Sequence, residues 1–458
     1  MSILAFLSSS FLKSKTKKFA REVRDALLSL EFYRNKIREN KIPLSRVKEI
    51  NDLNTLEKFL NEHPIEWVKP DDLVNDTYSS FLSKAPSSER LFPQSSSGYS
   101  VVEGRSIGRK KVMFTKRDIK KALEIYKRGM EVLYEKNERP VIGLLGHLNY
   151  PSGSGNYPNL GLLLLNFLHN KSIIFYSYGA PLTDEHLIGI ARMMEEDKVN
   201  GVISTPSIVS RLLDIYKPKE NLRFIAMGGF KPPKEVVEKS RETADIVIDG
   251  YSVQEVMPLT SIGNGIMSSK WKKLSETEGI VVNGLLCYVR VVDKDGQSVN
   301  EGEKGEIRVT TAFEGTSLID YPTEDETKLL SKNSTYYWRG WKILTPFPLL
   351  DYCIKRTGKK DVYRIKEYSV NSTLLESVIS DIISYDFHIK IDRREGRIEI
   401  FLPNDLKETI RRKVMREVKS YIHPGLHQDI LFKSLSREEI RNIVYPPNQW
   451  KPHNVVVL

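Results

Sequence analysis

The chain has 458 residues, of which 40% are hydrophobic and 28% charged, and its formal net charge is +11. This composition is ordinary for a soluble globular protein of two or three domains, and the longest apolar stretch, at 160–168, is too short to span a bilayer. Two cysteines, Cys287 and Cys353, argue against a disulfide framework and a cysteine-ligated zinc site, and they favour the cytoplasm. The basic residues are scattered among 59 acidic ones, which argues against nucleic-acid binding.

The first 90 residues are predicted to form helices joined by loops. Apolar residues recur at helical spacing in FAREVRDALLSLEFYRNKIREN, LNTLEKFLNE and DDLVNDTYSSFLSK. The chain opens with apolar residues followed by positive ones, the reverse of a secretory signal, so we interpret this stretch as an amphipathic helix. A Ser/Gly-rich segment, FPQSSSGYSVVEGRSIGRKKV, separates this helical cap from the next region.

From residue 141 the chain repeats an apolar β-rich run, a small turn and an amphipathic helix. The runs are PVIGLLG, SIIFYSYG, GVISTP, LRFIAMGG and DIVIDGYS. Such alternation predicts right-handed βαβ crossovers in a parallel sheet, and ligands bind beyond the carboxyl ends of parallel strands. We therefore expect the residues that end these runs to meet along one edge. They are Ser204, Thr205, Pro206, Gly228, Gly229, Tyr251 and, one turn on, Glu255.

Near residue 257 the sequence becomes strand-rich, and GIVVNGLLCYVRVVDKDGQSV and GEIRVTTAFE predict antiparallel hairpins. A small α+β unit follows. The predicted fold class is thus α/β, with a large N-terminal domain at 1–355 and a small C-terminal α+β lid domain at 356–458. The large domain would comprise a helical cap (1–90), a loop and parallel βαβ region (91–256) and an antiparallel strand-rich part (257–355).

Six motifs occur in an order that resembles the adenylate-forming superfamily, and most closely its phenylacetate–coenzyme A ligase branch. They are SSSGYS, STPS, MGGFKPP, DGYSVQEVMP, LIDYPTEDETKLL and KKDVYRIKEYSVNSTLLE. The resemblance implies that ATP and magnesium activate a carboxylic acid as its acyl-adenylate, and that coenzyme A or another thiol then takes the acyl group. The implied partners are a small carboxylic acid and a nucleotide, with no nucleic acid and no membrane span; a homodimer is one compatible assembly.

The same resemblance implies a nucleotide site. Its binding residues would be Ser95, Ser96, Ser97, Gly98, Gly228, Gly229, Tyr251, Ser252, Asp325 and Lys360. The serine loop would cradle phosphates through backbone N–H groups, Asp325 would accept the ribose hydroxyls, and Glu255 would hold magnesium on the phosphates. From the residues alone, other interpretations stay open: a surface loop for the serines, a carboxylate at a helix N-terminus for Glu255, and an acidic solvated turn for Asp325.

The acyl pocket implied by the resemblance would be lined by His147, Asn149, Tyr150 and Thr205, together with the PSGSGNYP loop. This pocket contains no fixed charge besides a titratable imidazole. A single histidine is also common as a structural residue, so a non-catalytic role for His147 stays open.

Four features depart from the family pattern. The phosphate loop reads SSSGYSVVEG in place of the family's Ser-Ser-Gly-Thr-Thr-Gly, and Ser252 replaces the glycine that follows the family's tyrosine. The family's catalytic Gly-Lys pair corresponds here to Ile440 and Arg441, and arginine keeps the charge but changes the hydrogen-bond geometry. Arg441 is the predicted catalytic cation, with Lys451 and Lys433 as alternatives. Glu367 stands where a glycine lets pantetheine pass. Glu367 favours a transferase resembling acyl-protein synthetases. Arg441 and the altered phosphate loop favour a catalytically impaired nucleotide- or acyl-binding scaffold, and both alternatives stay open.

Overall fold

A computed structural model of the chain describes residues 9–75, 90–95, 100–102, 105–108, 111–122, 133–134, 138–146, 172–177, 184–229, 231–253, 262–271, 274–338, 341–356, 362–383, 386–444 and 454–458. The chain forms two compact units. The first contains Met1–Val141, Pro151–Ile173 and Asp245–Ile354, and the second contains Ile142–Tyr150, Ile174–Ala244 and Lys355–Leu458. The division into domains at 1–355 and 356–458 stays a prediction.

The described helices are α1 (Ser9–Ser29), α2 (Glu31–Glu39), α3 (Leu44–Lys48), α4 (Leu53–Glu62), α5 (Asp72–Asn75), α6 (Asp184–Glu196), α7 (Pro206–Ile215), α8 (Lys234–Thr243), α9 (Ser372–Ile383), α10 (Glu408–Tyr421) and α11 (Arg437–Val444), with a 3-10 helix at Pro424–Asp429. Within the described residues, no helix has the length and apolar character needed to cross a membrane.

The described strands are β1 (Arg90–Ser95), β2 (Ser100–Val102), β3 (Arg105–Gly108), β4 (Lys111–Thr115), β5 (Val141–Gly146), β6 (Ser172–Ser177), β7 (Gly201–Ser204), β8 (Leu222–Gly228), β9 (Ala244–Tyr251), β10 (Gly263–Ser269), β11 (Ile280–Val282), β12 (Cys287–Val292), β13 (Lys304–Thr311), β14 (Tyr321–Ser331), β15 (Ser334–Trp338), β16 (Trp341–Thr345), β17 (Leu349–Leu350), β18 (Lys355–Arg356), β19 (Val362–Ile365), β20 (Tyr368–Asn371), β21 (His388–Asp392), β22 (Arg397–Pro403), β23 (Ile430–Leu435) and β24 (Val455–Val457).

The first unit packs its N-terminal helices against its strand-rich part. Helix α4 begins at a capping box, in which Asp52 Oδ1 accepts from the Thr55 N–H at 2.9 Å and Thr55 Oγ1 accepts from the Asp52 N–H at 3.0 Å. The buried Tyr33 of α2 donates its hydroxyl to the Ser317 carbonyl at 2.6 Å. This hydrogen bond satisfies a buried phenol and fixes the helices on the residues that precede β14.

The strand-rich part of the first unit is antiparallel. Its strands follow the spatial order β9, β10, β11, β17, β14, β13, β12. In the β12–β13 pair, Val289 lies opposite Val309, and both side chains are buried together with Val291 and Ile307. The antiparallel hairpins predicted for this region are therefore confirmed.

The second unit contains the parallel strands, in the order β8, β7, β5, β6. Strand β7 pairs in parallel with β5 and with β8, and Ser204 lies opposite Met227. Helices α6, α7 and α8 follow β6, β7 and β8, as βαβ crossovers require. Helix α7 has Pro206 in its first turn and buries Ile208 and Leu212. Parallel pairing is therefore confirmed for the runs PVIGLLG, GVISTP and LRFIAMGG, whereas the run DIVIDGYS forms β9, which pairs antiparallel with β10.

The C-terminal stretch of the second unit is a four-stranded sheet with helices. Its strand order is β23, β22, β21, β24, where β21 and β22 are antiparallel and the outer pairs are parallel. Helices α9 and α10 share an apolar core with this sheet, and Ile389, Ile398, Ile400 and Val414 in that core are fully buried. The mixed α/β fold class, with its α+β C-terminal stretch, is as predicted.

Candidate functional site

The carboxyl ends of β7 and β8 lie side by side in the second unit. Because Ser204 is opposite Met227 in a parallel pair, Thr205 and Gly228 leave the sheet at the same edge. Gly229 follows with φ +96°, a backbone conformation that favours glycine. Ser204 Oγ donates to the Leu145 carbonyl at 3.0 Å, which ties the neighbouring β5 to this edge. A Cβ-free turn here lets a flat ligand approach the backbone.

Thr205 is the N-cap residue of α7. Its side chain does not cap the helix, and its Oγ1 lies 3.2 Å from Ser207 Oγ. Both residues are buried. The predicted acyl-pocket residue Thr205 and the predicted adenine residues Gly228 and Gly229 thus occupy consecutive strand ends at one edge.

In the first unit, two predicted nucleotide residues meet. Tyr251, the last residue of β9, donates its hydroxyl to Asp325 Oδ2 at 2.9 Å. The two residues are 74 positions apart in sequence and lie on strands that are not neighbours in the sheet, so the tertiary fold brings them together. A phenol hydrogen-bonded to a carboxylate fixes the orientation of that carboxylate.

The backbone around Asp325 is also shaped for this position. Glu324 has φ 63°, in the left-handed region that non-glycine residues rarely adopt, and it lies inside β14. Thr323 Oγ1 accepts from the Asp325 N–H at 3.2 Å and donates to the Ile307 carbonyl at 2.8 Å. A backbone strained at this point is typical of functional sites, where the surrounding packing enforces it.

A buried ion cluster, which the sequence analysis did not identify, holds the start of β14. Asp320 accepts from Arg290 Nε at 3.0 Å and Nη2 at 2.9 Å, and from Arg308 Nη1 at 3.1 Å. The side chains of Arg290 and Asp320 are each 1% exposed. Burial lowers the pKa of Arg308, but the charges of Asp320 and Glu306 outweigh it, so this pKa is raised. The cluster fixes the backbone five residues before Asp325.

Arg441 lies on α11, and two carboxylates hold its guanidinium. Nε donates to Asp386 Oδ1 and Nη1 donates to Asp184 Oδ2, both at 3.2 Å. Burial lowers the pKa of Arg441. The charge and hydrogen bond of Asp386 and the charge of Asp184 act in the opposite direction and are stronger, so the pKa is raised. In this structure the positive charge of Arg441 is balanced locally. Its catalytic role stays a prediction.

The alternative cation Lys433 is also paired. Its Nζ donates to Glu399 Oε1 at 2.6 Å, and Lys390 and Arg397 lie within 4 Å of the same carboxylate. The hydrogen bond from Lys433 is the largest cause of the lowered pKa of Glu399. The sequence signal for this group is an acidic residue inside the largely apolar run RIEIFLP, because a buried carboxylate needs a cationic partner.

Glu367 lies in the tight turn between β19 and β20, after Lys366 at φ 54°. It is exposed, and a hydrogen bond with the Tyr368 side chain lowers its pKa. The Tyr368 ring stacks on His423 with centroids 4.2 Å apart and an interplanar angle of 17°. Glu367 therefore presents an ionised carboxylate at the tip of a hairpin braced by an aromatic stack.

Several predicted site residues lie outside the described residues, and their roles stay predictions. They are Ser96, Ser97, Gly98, His147, Asn149, Tyr150, Glu255, Lys360 and Lys451. Ser95 ends β1, and Ser252 follows Tyr251 directly after β9. Among the described residues, no group of three or more His, Cys, Asp or Glu side chains is arranged to hold a metal ion.

The chain is similar to enzymes of known type. Residues 160–314 match the family model described as AMP-binding enzyme. No curated protein sequence matches the chain significantly. Among solved structures, it is similar to 2-hydroxyisobutyryl-CoA ligase in the postadenylation state, in complex with R3-HIB-AMP (TM-score 0.70) and with 2-HIB-AMP (TM-score 0.69).

The same ligase with 2-HIB-AMP and CoA, in the thioesterification state, matches with a TM-score of 0.59. In all three comparisons the identity is 16%, and the match covers 98% of this chain and 90% of the ligase. At this identity the likeness establishes the fold.

Proposed function

We propose that this chain acts as an adenylate-forming enzyme, which uses ATP to activate a carboxylic acid as its acyl-adenylate and then transfers the acyl group to coenzyme A; the match of residues 160–314 to the AMP-binding enzyme model and the shared fold support this. The hydrogen bond of 2.9 Å between Tyr251 and Asp325 carries this proposal. It joins the two positions that the resemblance assigns to the adenine and the ribose. The solved ligases of the same fold hold an acyl-AMP, and one also holds CoA, which supports the same sequence of steps here.

In the first step a carboxylate oxygen attacks the α-phosphorus of ATP, and the bond to pyrophosphate breaks. In the second step a thiolate attacks the acyl carbon, and AMP leaves. The acid thus exchanges a poor leaving group, hydroxide, for AMP. Positioning and charge neutralisation provide the rate enhancement in such a reaction.

The resemblance assigns several of the described residues to nucleotide binding. Asp325 would accept the two ribose hydroxyls, and Tyr251 would hold that carboxylate in place while its ring lies near the adenine. Gly229 would admit the flat base to the backbone. Magnesium on the phosphates would neutralise their charge, and the resemblance gives its carboxylate ligand as Glu255. The phenylacetate branch suggests an aromatic acid as the substrate class.

The direct test measures pyrophosphate release with ATP and magnesium over a panel of aromatic and aliphatic acids, with and without coenzyme A. Removing the hydroxyl in Tyr251→Phe should raise the KM for ATP about tenfold, because a hydrogen bond to a charged group contributes about 1.5–3 kcal/mol. Tyr421→Phe, which changes an exposed tyrosine on α10, is the matched control. No pyrophosphate from any acid, despite tight ATP binding in calorimetry, would favour the scaffold alternative.

A second candidate function is transfer of the acyl group to a protein thiol. The ionised Glu367 at the tip of the β19–β20 hairpin favours it, since a carboxylate obstructs a passage that glycine leaves open. Adding coenzyme A to the adenylation assay separates the two candidates. Acceleration by coenzyme A supports the ligase, whereas acceleration only in Glu367→Gly supports the protein acceptor.

A further inference from the structure

Residues 1–21 differ in charge from the rest of the chain. They contain five lysines and arginines and no acidic residue, although the whole chain has 59 acidic residues among its 458. The five cations are Lys13, Lys15, Lys17, Lys18 and Arg21, and all of them lie in α1. The first half of α1 therefore carries a local excess of positive charge that the overall composition does not reveal.

Helix α1 has a buried apolar face and an exposed cationic face. The buried positions recur at helical spacing and include Leu12, Phe19, Val23 and Leu27. Lys13, Lys18 and Arg21 are exposed. Because one helical turn takes 3.6 residues, Lys18 and Arg21 lie on the side of α1 opposite the buried positions. The buried face thus fixes the helix on the first unit, and the cations point toward solvent.

Glu22 neutralises little of this charge. Its Oε1 lies 3.9 Å from Lys18 Nζ, and its Oε2 lies 3.3 Å from Lys121 Nζ. The Lys18 side chain is 59% exposed, so this long ion pair contributes little. Within the part of the chain that the structure describes, the side chains of Lys13 and Arg21 make no ion pair. The exposed face of α1 therefore attracts anions.

An apolar run precedes this cationic face in sequence. Residues 3–7 read ILAFL. This run is far too short to span a bilayer, but its transfer from water into the interfacial region of a membrane is favourable. Binding to a nucleic acid takes its affinity from phosphate contacts, to which such side chains contribute nothing. An apolar run next to a cationic helix face therefore favours a lipid surface over a nucleic acid.

We propose that residues 1–21 bind the surface of a membrane that contains anionic phospholipids. The cations of α1 would face the lipid headgroups, and the run ILAFL would enter the interface. A cluster of about four to eight lysines or arginines on a helix is typical of anionic-lipid recognition. Each cation near such a surface strengthens binding about fivefold. The chain would thus attach to the membrane from one side.

Cosedimentation of the full chain with lipid vesicles tests this proposal. The chain should bind vesicles of phosphatidylcholine that contain about one third phosphatidylglycerol, and it should bind pure phosphatidylcholine at least about tenfold more weakly. Binding should weaken at an ionic strength of about 1 M, where the Debye length is about 3 Å. No binding to the anionic vesicles, or equal binding to both compositions, would overturn the proposal.

A triple variant tests the position of the charge. Lys13→Gln, Lys18→Gln and Arg21→Gln together should weaken binding to the anionic vesicles about a hundredfold. The three side chains are exposed, so the variant should keep its fold, which urea unfolding checks. Unchanged vesicle binding in the folded variant would contradict the proposed surface.

Helix α10 in the second unit provides the matched control. Arg412→Gln, Lys413→Gln and Arg416→Gln together remove the same charge from exposed positions of an amphipathic helix. Here the cations are interspersed with Glu408 and Glu417. This control should change vesicle binding by less than about twofold. An equal loss in both triple variants would assign the binding to net charge and overturn the role of α1.

A variant of the apolar run separates a membrane from a nucleic acid. Leu4→Asn with Phe6→Asn should weaken binding to the anionic vesicles at least about tenfold, because two apolar side chains no longer leave water. Binding to duplex DNA should be weaker than binding to vesicles in the wild-type chain and unaffected by this variant. Unchanged vesicle binding in the variant, or tighter binding to DNA than to vesicles, would overturn the proposal. These measurements use neither ATP nor an acid, so their outcome is independent of the proposed function.

Discussion

The ion pairs of Arg441 give the sharpest prediction about the second unit. Arg441→Ala removes a guanidinium whose side chain is 22% exposed and which contacts Asp386, 16% exposed, and Asp184, 55% exposed. Neither carboxylate is then left alone, because Asp386 keeps Arg437 and Asp184 keeps Arg211. The full penalty of about 3–5 kcal/mol for leaving a buried charge unpaired therefore does not apply.

The expected loss of folding free energy is larger than for an exposed ion pair, which contributes about 0.2–1 kcal/mol, because the contact with Asp386 is largely buried. We predict that Arg441→Ala destabilises the second unit by about 1–2 kcal/mol. Hydrogen exchange, measured peptide by peptide, should show faster exchange in α6, α7 and α11 and no change in the first unit. Arg412→Ala removes an exposed ion pair with Glu408 and should change the free energy of local opening by less than about 0.5 kcal/mol.

Arg441→Lys separates charge from geometry. Lysine keeps the positive charge but cannot reach both carboxylates with a planar fork, so it should recover only part of the lost protection. If Arg441 also serves adenylation by its charge, the lysine variant should still release pyrophosphate. The alanine variant should release it more slowly, with an activation free energy raised by about 2–4 kcal/mol. Unchanged exchange in α11 for both variants would refute the assignment of Arg441 as a structural ion-pair residue.

Three further predictions follow from the described residues. Asp320→Asn should destabilise the first unit by about 3–5 kcal/mol, seen in urea unfolding followed by near-ultraviolet circular dichroism, because Arg290 would stay buried without its carboxylate. Burial raises the pKa of Asp184, but hydrogen bonds and charges from two arginines outweigh it, and its pKa lies below 3.8. The stability from these pairs is therefore full above that ordinary value and is lost as pH falls through the lowered pKa, so exchange in α6 should accelerate only in strong acid. At neutral pH iodoacetamide should modify Cys353 and spare Cys287, whose pKa burial raises to about 12; mass spectrometry that finds Cys287 labelled in the folded chain would contradict this.

The parallel region could be predicted from sequence because each strand is a short apolar run with a helix-period segment after it. The same reasoning did not predict β14. This strand, Tyr321–Ser331, contains three consecutive acidic residues, and its buried positions include threonines, so it lacks the apolar alternation of a half-buried strand. Thr323 and Thr327 bury their hydroxyls by donating to backbone carbonyls of neighbouring segments. Such partners are set by the tertiary fold and leave no signal in local sequence.

The buried ion cluster shows a second limit of sequence reasoning. An arginine inside the apolar run CYVRVV predicts that a carboxylate must lie beside it, since a buried charge without a partner is expensive. The sequence does not identify which acidic residue provides it. Asp320 does so from 30 positions away, because β13 brings the loop before β14 back beside β12. The need for a partner was therefore predictable, and its identity was not.

These contacts bear on which side chain supplies the positive charge for adenylation. A charge balanced by two carboxylates at 3.2 Å adds little positive potential at a phosphate, so Arg441 can act only if those ion pairs break. The charge of Lys433 is likewise balanced, because its Nζ donates to Glu399 at 2.6 Å. We therefore predict that Lys451→Ala lowers pyrophosphate release by at least about a hundredfold while ATP affinity in calorimetry stays within about twofold.

Lys433→Ala is the matched control for that prediction, since it removes the same side chain from the same stretch of chain. It should reduce stability, because Glu399 would lose its shortest ion pair, but it should leave the rate per folded molecule unchanged. If Lys451→Ala is silent and Arg441→Ala alone abolishes pyrophosphate release, the ion pairs of Arg441 must break during adenylation. If neither variant affects an active enzyme, the C-terminal stretch does not supply the cation, and magnesium with the phosphate loop must neutralise the charge unaided.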